Sequence, residues 1–192
     1  MEFSNCIMTF ARFTIVYDEV VPLEVIFRNV TMIKGSLEVV SSSEQGGRIS
    51  GLTVSVFNST ITGITGNFIH IEAAIEVRNT KIVVDEHSEI TLSRAWALSI
   101  STGTAEGIEM IVKGGSRVTA TERAVAICAN TVQDVKMAVE GDSNRVSILE
   151  PFASETAAVG IINCVAPLKA TKQFHLDNVR LELAGTNSAI TS

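Results

Sequence analysis

Aromatic side chains are scarce in this chain: one Trp, one Tyr and eight Phe, 5% of 192 residues. A core organised around a few large rings is therefore excluded, and the apolar mass must come from the Val, Ile, Leu and Ala that dominate its 46% hydrophobic content. Proline is rarer still. Pro22, Pro151 and Pro167 fall at edges or loops and interrupt no segment of strand-like pattern. The 15 basic residues are outnumbered by 21 acidic ones, for a net charge of −6. The basic residues are scattered, so the stripe that nucleic acid or an acidic membrane surface requires is missing. No apolar run approaches the roughly 18 to 20 residues of a membrane span. Glu2, Arg12 and Asp18-Glu19 break up the N-terminus, which does not read as a signal peptide. The three cysteines, Cys6, Cys128 and Cys164, show no Cys-x-x-Cys or Cys/His spacing, so no metal site is expected. Two readings remain for them: small buried apolar residues, or a Cys128–Cys164 disulfide between equivalent segments.

What the chain does have is a recurring phrase: apolar, any residue, Asn, two residues, apolar. It appears at Phe27–Met32, Val56–Ile61, Val77–Ile82 and Leu176–Leu181. A polar–apolar alternation accompanies it, in Ser36–Val39, Ser59–Gly63, Ser88–Leu92, Ser116–Ala120, Asn144–Ile148 and Val179–Leu183. A small, continuously apolar segment comes third, in Asn67–Ile71, Arg94–Ile100, Arg123–Cys128 and Ala157–Ile162. Two further copies of the first segment, Ile108–Gly115 and Val135–Asp142, carry Gly at the turn. Gly and Asn both tolerate left-handed backbone angles, so their exchange has a physical reason. Taking Phe27, Val56, Val77, Val112, Val139 and Leu176 as equivalent gives uneven repeats, with the excess length assigned to loops at Ser101–Gly107 and Glu150–Thr156.

Period-two alternation rich in β-branched residues denotes strands with one buried face. A fixed segment order that recurs denotes stacking. The expectation is a single all-β domain over 1–192: a right-handed parallel β-helix (β-solenoid) of five to six coils of three short strands. Residues 1–22 are expected to form an irregular or partial first coil, and the chain to be a segment of a longer protein. An antiparallel β-sandwich fits the strand spacing but does not require a repeating order. The Ala-rich stretches 94–101 and 123–133 could be read as helix, though buried strand suits them better.

Inside such a stack Asn29, Asn58 and Asn79 would form an amide ladder. Asn29-Val30-Thr31 and Asn58-Ser59-Thr60 are also acceptors for N-glycosylation. A polysaccharide-cleaving site needs facing carboxylates or a Ca²⁺ cluster beside a base. Only five Asp occur, none of them adjacent to another. Asp85-Glu86-His87 is the nearest constellation and reads as a solvated turn. His70 and His175 stand alone on strands, Trp96 reads as core filling, and Glu122-Arg123 and Glu155 sit at corners. Gly46-Gly47 and Gly114-Gly115 lack the helix and Lys-Ser/Thr of a phosphate loop, and no Gly-x-Ser-x-Gly elbow is present. No catalytic residue and no cofactor is expected.

The phrases Ile49–Ile61 and Thr119–Ile127 resemble the dispersed gene family surface proteins of trypanosomatid parasites, in a likeness of style running from about residue 23 to 185. The resemblance implies a piece of a long surface protein with a pectin-lyase-like β-helical extracellular part, membrane segments elsewhere and an adhesive role. It carries over no catalytic residues. The expected function is thus a non-enzymatic surface or extracellular module that displays loops or acts as a rigid spacer, with matrix or carbohydrate ligands. The alternative is a lyase or hydrolase of the same shape.

Overall fold

The computed structural model describes residues 1–17, 22–41, 47–63, 67–93, 96–120, 123–148, 159–162, 175–186 and 188–191. Among these every regular element is a strand. The first coil holds β1 (Glu2–Thr9) and β2 (Arg12–Val16), and the second β3 (Leu23–Ile33) and β4 (Ser36–Val40). Next come β5 (Arg48–Ser50), β6 (Leu52–Phe57), β7 (Thr60–Gly63) and β8 (Ile69–Glu72). The fourth coil holds β9 (Glu76–Asp85), β10 (Glu89–Leu92) and β11 (Trp96–Ser101), and the fifth β12 (Thr104–Lys113), β13 (Arg117–Ala120) and β14 (Arg123–Cys128). Then follow β15 (Thr131–Glu140), β16 (Arg145–Ile148) and β17 (Val159–Ile162), and finally β18 (His175–Ala184) and β19 (Ala189–Thr191).

Among the described residues all pairings are parallel. One sheet of 13 strands runs β18-β15-β12-β9-β6-β3-β7-β10-β13-β16-β19, with β1 on β3 and β5 on β9. A second sheet of six runs β17-β14-β11-β8-β4-β2. Each strand therefore lies on its counterpart one coil away, which is a β-solenoid of about five turns. Val112 pairs with Val139 and Val118 with Val146, co-directionally, as a stack requires and a sandwich does not. The Ala-rich stretches are strands β11 and β14.

The core is a set of apolar files along the stack. Phe3, Phe27, Val56, Val84, Val112, Val139 and Leu183 form one. Met8, Met32, Ile61, Ile90, Val118, Val146 and Ile190 form another. Phe13, Leu37, Ile69, Leu98 and Val125 face them from the six-stranded sheet. Away from the ends these side chains are fully buried, each worth about 1.5 to 3 kcal/mol of apolar transfer. Files of like residues need side chains that pack on themselves at the strand spacing of about 4.8 Å. Branched aliphatics do this better than rings, hence the scarcity of aromatics.

The repeat is regular where the sequence reading made it uneven. Along the first file, from Phe27 to Val139, successive steps are 29, 28, 28 and 27 residues. Val77 is not the counterpart of Val56; it pairs with Ile49 and Ala105. The Asn phrase in fact marks two different corners of one coil. Asn5, Asn29 and Asn58 occupy the corner between the second and third sides, with φ of 51°, 53° and 43°. Asn79 and Asn178 occupy the preceding corner, with Gly51, Gly107 and Asp134, all at positive φ. Both corners demand a left-handed residue with an inward apolar one three positions on, so both are written in the same letters. This phase error also displaced other segments. Ser36–Val39 belongs to the six-stranded sheet, on His70 and Ile71, and Val179–Leu183 stacks on Val135–Val139. The expected loop at Ser101–Gly107 shrinks to Thr102-Gly103, because β12 begins at Thr104. Residues 150–156 lie outside the described residues.

Candidate functional site

The outer corner carries an amide ladder. Asn29 Nδ2 donates to Asn5 Oδ1 at 3.0 Å, and Asn58 Nδ2 donates to Asn29 Oδ1 at 2.7 Å. Beyond Asn58 the corner passes to Glu86 and His87 and then to Gly114 and Gly115, again at positive φ. Asn79 is not a rung of this ladder, because it sits one corner, seven residues, out of phase. In its own file, Asn178 Nδ2 donates to Asp134 Oδ1 and Arg180 Nε donates to Asn178 Oδ1 at 2.6 Å. Asn29 and Asn58 are exposed. A glycan on either would replace one of the two Nδ2 hydrogens and leave one N–H for the ladder bond.

Immediately after that corner runs a buried file that the sequence reading listed but gave no role. The amide N–H of Val30 donates to Ser59 Oγ at 3.0 Å, Ser59 to Ser88 Oγ at 3.2 Å and Ser88 to Ser116 Oγ at 3.1 Å. Ser116 N–H donates to Asn144 Oδ1 at 2.9 Å, and Asn144 N–H to Ser188 Oγ at 3.1 Å. The side chains in turn donate to nearby carbonyls, Ser59 to Phe57 at 2.7 Å and Asn144 to Glu140 at 2.8 Å. A buried donor without a partner is costly, and each coil here supplies the acceptor for its neighbour. The visible signal was Ser-Ser-Ser-Asn recurring at the true period.

Charges on the outer faces are paired across coils. Lys81 Nζ lies 3.0 Å from Glu109, Lys136 Nζ 2.9 Å from Glu182 and Arg78 Nε 3.0 Å from Glu106, while Glu76 on the same strand as Arg78 adds a contact at 2.6 Å. The Glu182 carboxylate bonded to Lys136 holds that ammonium above its ordinary pKa. In the Asp85-Glu86-His87 turn, Asp85 accepts the Glu86 N–H at 2.7 Å and lies 3.4 Å from Lys113. Glu86 turns away to Arg28, at 3.5 Å. His87 is exposed at φ 60°, so acid and base do not converge on one point.

On the six-stranded sheet, Arg12 bonds Glu38 at 2.7 Å, and this holds the Glu38 carboxyl below its ordinary range. One coil on, His70 Nδ1 lies 3.3 Å from Ser99 Oγ, while its Nε2 lies 3.6 Å from Glu72. The order hydroxyl, imidazole, carboxylate is that of an acyl-transfer site, but a nucleophile must be reachable and Ser99 is only 4% exposed. These side chains act as struts between coils. Trp96 is half-buried, His175 pairs through its Cα with Thr131, and Arg123 opens β14. Glu122 and Glu155 lie outside the described residues. No group of three or more His, Cys, Asp or Glu among the described residues is placed to hold a metal ion.

Cys6 is a free thiol, whereas Cys128 is disulfide-bonded, which replaces the reading of Cys128 as a simple apolar filler. Cys164, the partner considered for it, lies outside the described residues. Among the described residues no helix is long and apolar enough to cross a membrane. No family model, no curated protein and no solved structure matches the chain.

Proposed function

We propose that this chain is a non-enzymatic β-solenoid module of a surface or extracellular protein, a rigid rod that spaces or presents what is attached to it. One observation supports this above others: polar side chains are engaged in holding one coil to the next. The amides serve the corner ladder, the hydroxyls serve the buried file, and Glu106, Glu109, Glu182 and Asp85 each stand within 4.0 Å of a Lys or Arg one coil away. A Ca²⁺ site needs several carboxylates on one point, and these acids are instead spread along the stack, each against a cation. The bonded state of Cys128 supports an oxidising compartment. The family style of the sequence supports an adhesive surface protein, with matrix or carbohydrate ligands.

The competing reading is a lyase or hydrolase acting on uronate polymers, and the test is direct. The purified chain, supplied with Ca²⁺ and polygalacturonate or alginate, should release neither unsaturated sugar, the lyase product, nor new reducing ends, the hydrolase product. Release of either product that is abolished by Asp85→Asn would overturn the proposal. Compartment is tested separately, by asking whether a signal sequence lies upstream in the coding region.

A further inference from the structure

Arg78, Lys81, Lys113 and Lys136 each meet an acid one coil away. Arg117 and Arg145 do not. They lie in register with each other on the outward side of β13 and β16. Both are exposed, and among the described residues no carboxylate stands within 4.0 Å of either. In the same file Glu89 precedes Arg117 and Ala189 follows Arg145. Lys136 and Arg180 also stack in register, but there Glu182 stands against Lys136 and Asn178 accepts from Arg180. Like charges directly opposite on neighbouring strands, about 4.8 Å apart, are destabilising. The fold nevertheless holds this pair firmly. The Arg117 N–H donates to the Ser88 carbonyl at 2.8 Å and the Arg145 N–H to the Ser116 carbonyl at 3.0 Å. Each arginine directly follows a rung of the buried file, Ser116 or Asn144. The next outward file, roughly 7 Å along the strands, bears hydroxyls: Thr119 lies in register with Ser147, both half-buried.

We infer that Arg117, Arg145, Thr119 and Ser147 form a binding site for a sulfate ester on an acidic polysaccharide. The inference rests on the surface-module reading and names the ligand class of that module. A guanidinium presents its N–H donors in a planar fork that matches the oxygens of an oxyanion. Two forks one strand spacing apart can take one tetrahedral group between them, and a bound anion offsets their mutual repulsion. A carboxylate has two oxygens, which one fork occupies; a sulfate ester has three free oxygens and serves both. The hydroxyls alongside suit sugar hydroxyls, because each can donate and accept. Glu89 bounds the site one coil below and sets the anion towards Arg145. With a net charge of −6 the chain repels polyanions at long range, so binding depends on this local cluster. Two guanidiniums fall short of the stripe that nucleic acid requires.

The test is calorimetric titration of the 192-residue chain with a heparin octasaccharide at low ionic strength, which should bind. The same octasaccharide stripped of its sulfates, which keeps its carboxylates, should bind about tenfold more weakly. Arg117→Gln and Arg145→Gln should each cost about tenfold in affinity for heparin. Arg145→Lys should lose part of it, since charge remains without the fork, and Glu89→Gln should tighten binding. Neither glutamine variant should lower the melting temperature, because each removes a like-charge contact. Three results overturn the inference and leave the module reading intact: no binding of heparin, equal binding of the desulfated sugar or of single-stranded DNA, or glutamine variants that bind like wild type. A glutamine variant that melts lower also overturns it, by giving the arginines a structural task. Heparin that is bound and then cleaved supports the site and overturns the module reading instead.

Discussion

Truncating Ser88 to Ala isolates the contribution of the buried hydroxyl file. Ser88 is 1% exposed, and its Oγ accepts the Ser59 amide hydrogen bond at 3.2 Å while donating to the Asp85 carbonyl at 2.5 Å. Alanine fits the site and keeps the backbone, so packing is almost untouched. What is lost is the acceptor for a buried N–H, a penalty of about 1 to 3 kcal/mol. For a domain of this size that corresponds to a fall in melting temperature of roughly 4 to 8 °C at the middle of that range. Stacked coils open locally, so the sharper assay is native-state hydrogen exchange. The Ser59 amide should lose protection selectively in Ser88→Ala. The control is Thr91→Ala on the outward face of β10, expected to stay within about 0.5 kcal/mol of wild type. Ser88→Asn should keep most of the stability, since Asn144 does this task in the same file. If Ser88→Ala proves as silent as Thr91→Ala, the file is incidental and the reasoning fails.

Gly107 sits at φ 64°, and a Cβ there would lie 3.0 Å from Asn79 Oδ1. Gly107→Ala should therefore cost about 1 to 2 kcal/mol, read by urea titration, with Gly107→Asn recovering part of it because Asn already occupies this corner in two other coils. Glu38 has its pKa lowered, chiefly by the Arg12 hydrogen bond. Its contribution is thus present above the ordinary 4.5 and lost as pH falls through the lowered value. Carboxyl NMR should show Glu38 titrating nearer 4.5 in Arg12→Ala, and that variant's stability should fall less steeply with acid. Under non-reducing denaturation, thiol labelling should modify Cys6 and spare Cys128, and Cys128→Ser should lose about 2 to 4 kcal/mol.

Much of this architecture was legible from the residues. Alternation in Arg117–Ala120 and Arg145–Ile148 identified strands, and the recurrence of segment order implied parallel stacking, as the Val112–Val139 and Val118–Val146 pairs show. Phase was the part that misled. Asn58 and Asn79 share a Val two residues before and an Ile three residues after, and both have positive φ, 43° and 49°, because two corners pose one steric problem, so local pattern could not tell them apart. The serine file was hidden for a related reason: Ser at a strand entry looks like an ordinary turn residue until the coil above supplies the donor. The His70–Ser99 contact joins residues 29 apart on neighbouring coils, and only the register brings them together.

Because the sheet hydrogen bonds point along the stack, a pull on the two termini loads the coils in series. Tension would strip the rod from an end, one winding at a time, each freeing about 28 residues, or roughly 95 Å of extended chain, for a loss of only about 4.8 Å of rod. A tether built this way resists bending and compression, yet under extension it yields in steps, absorbing work far out of proportion to its resting length.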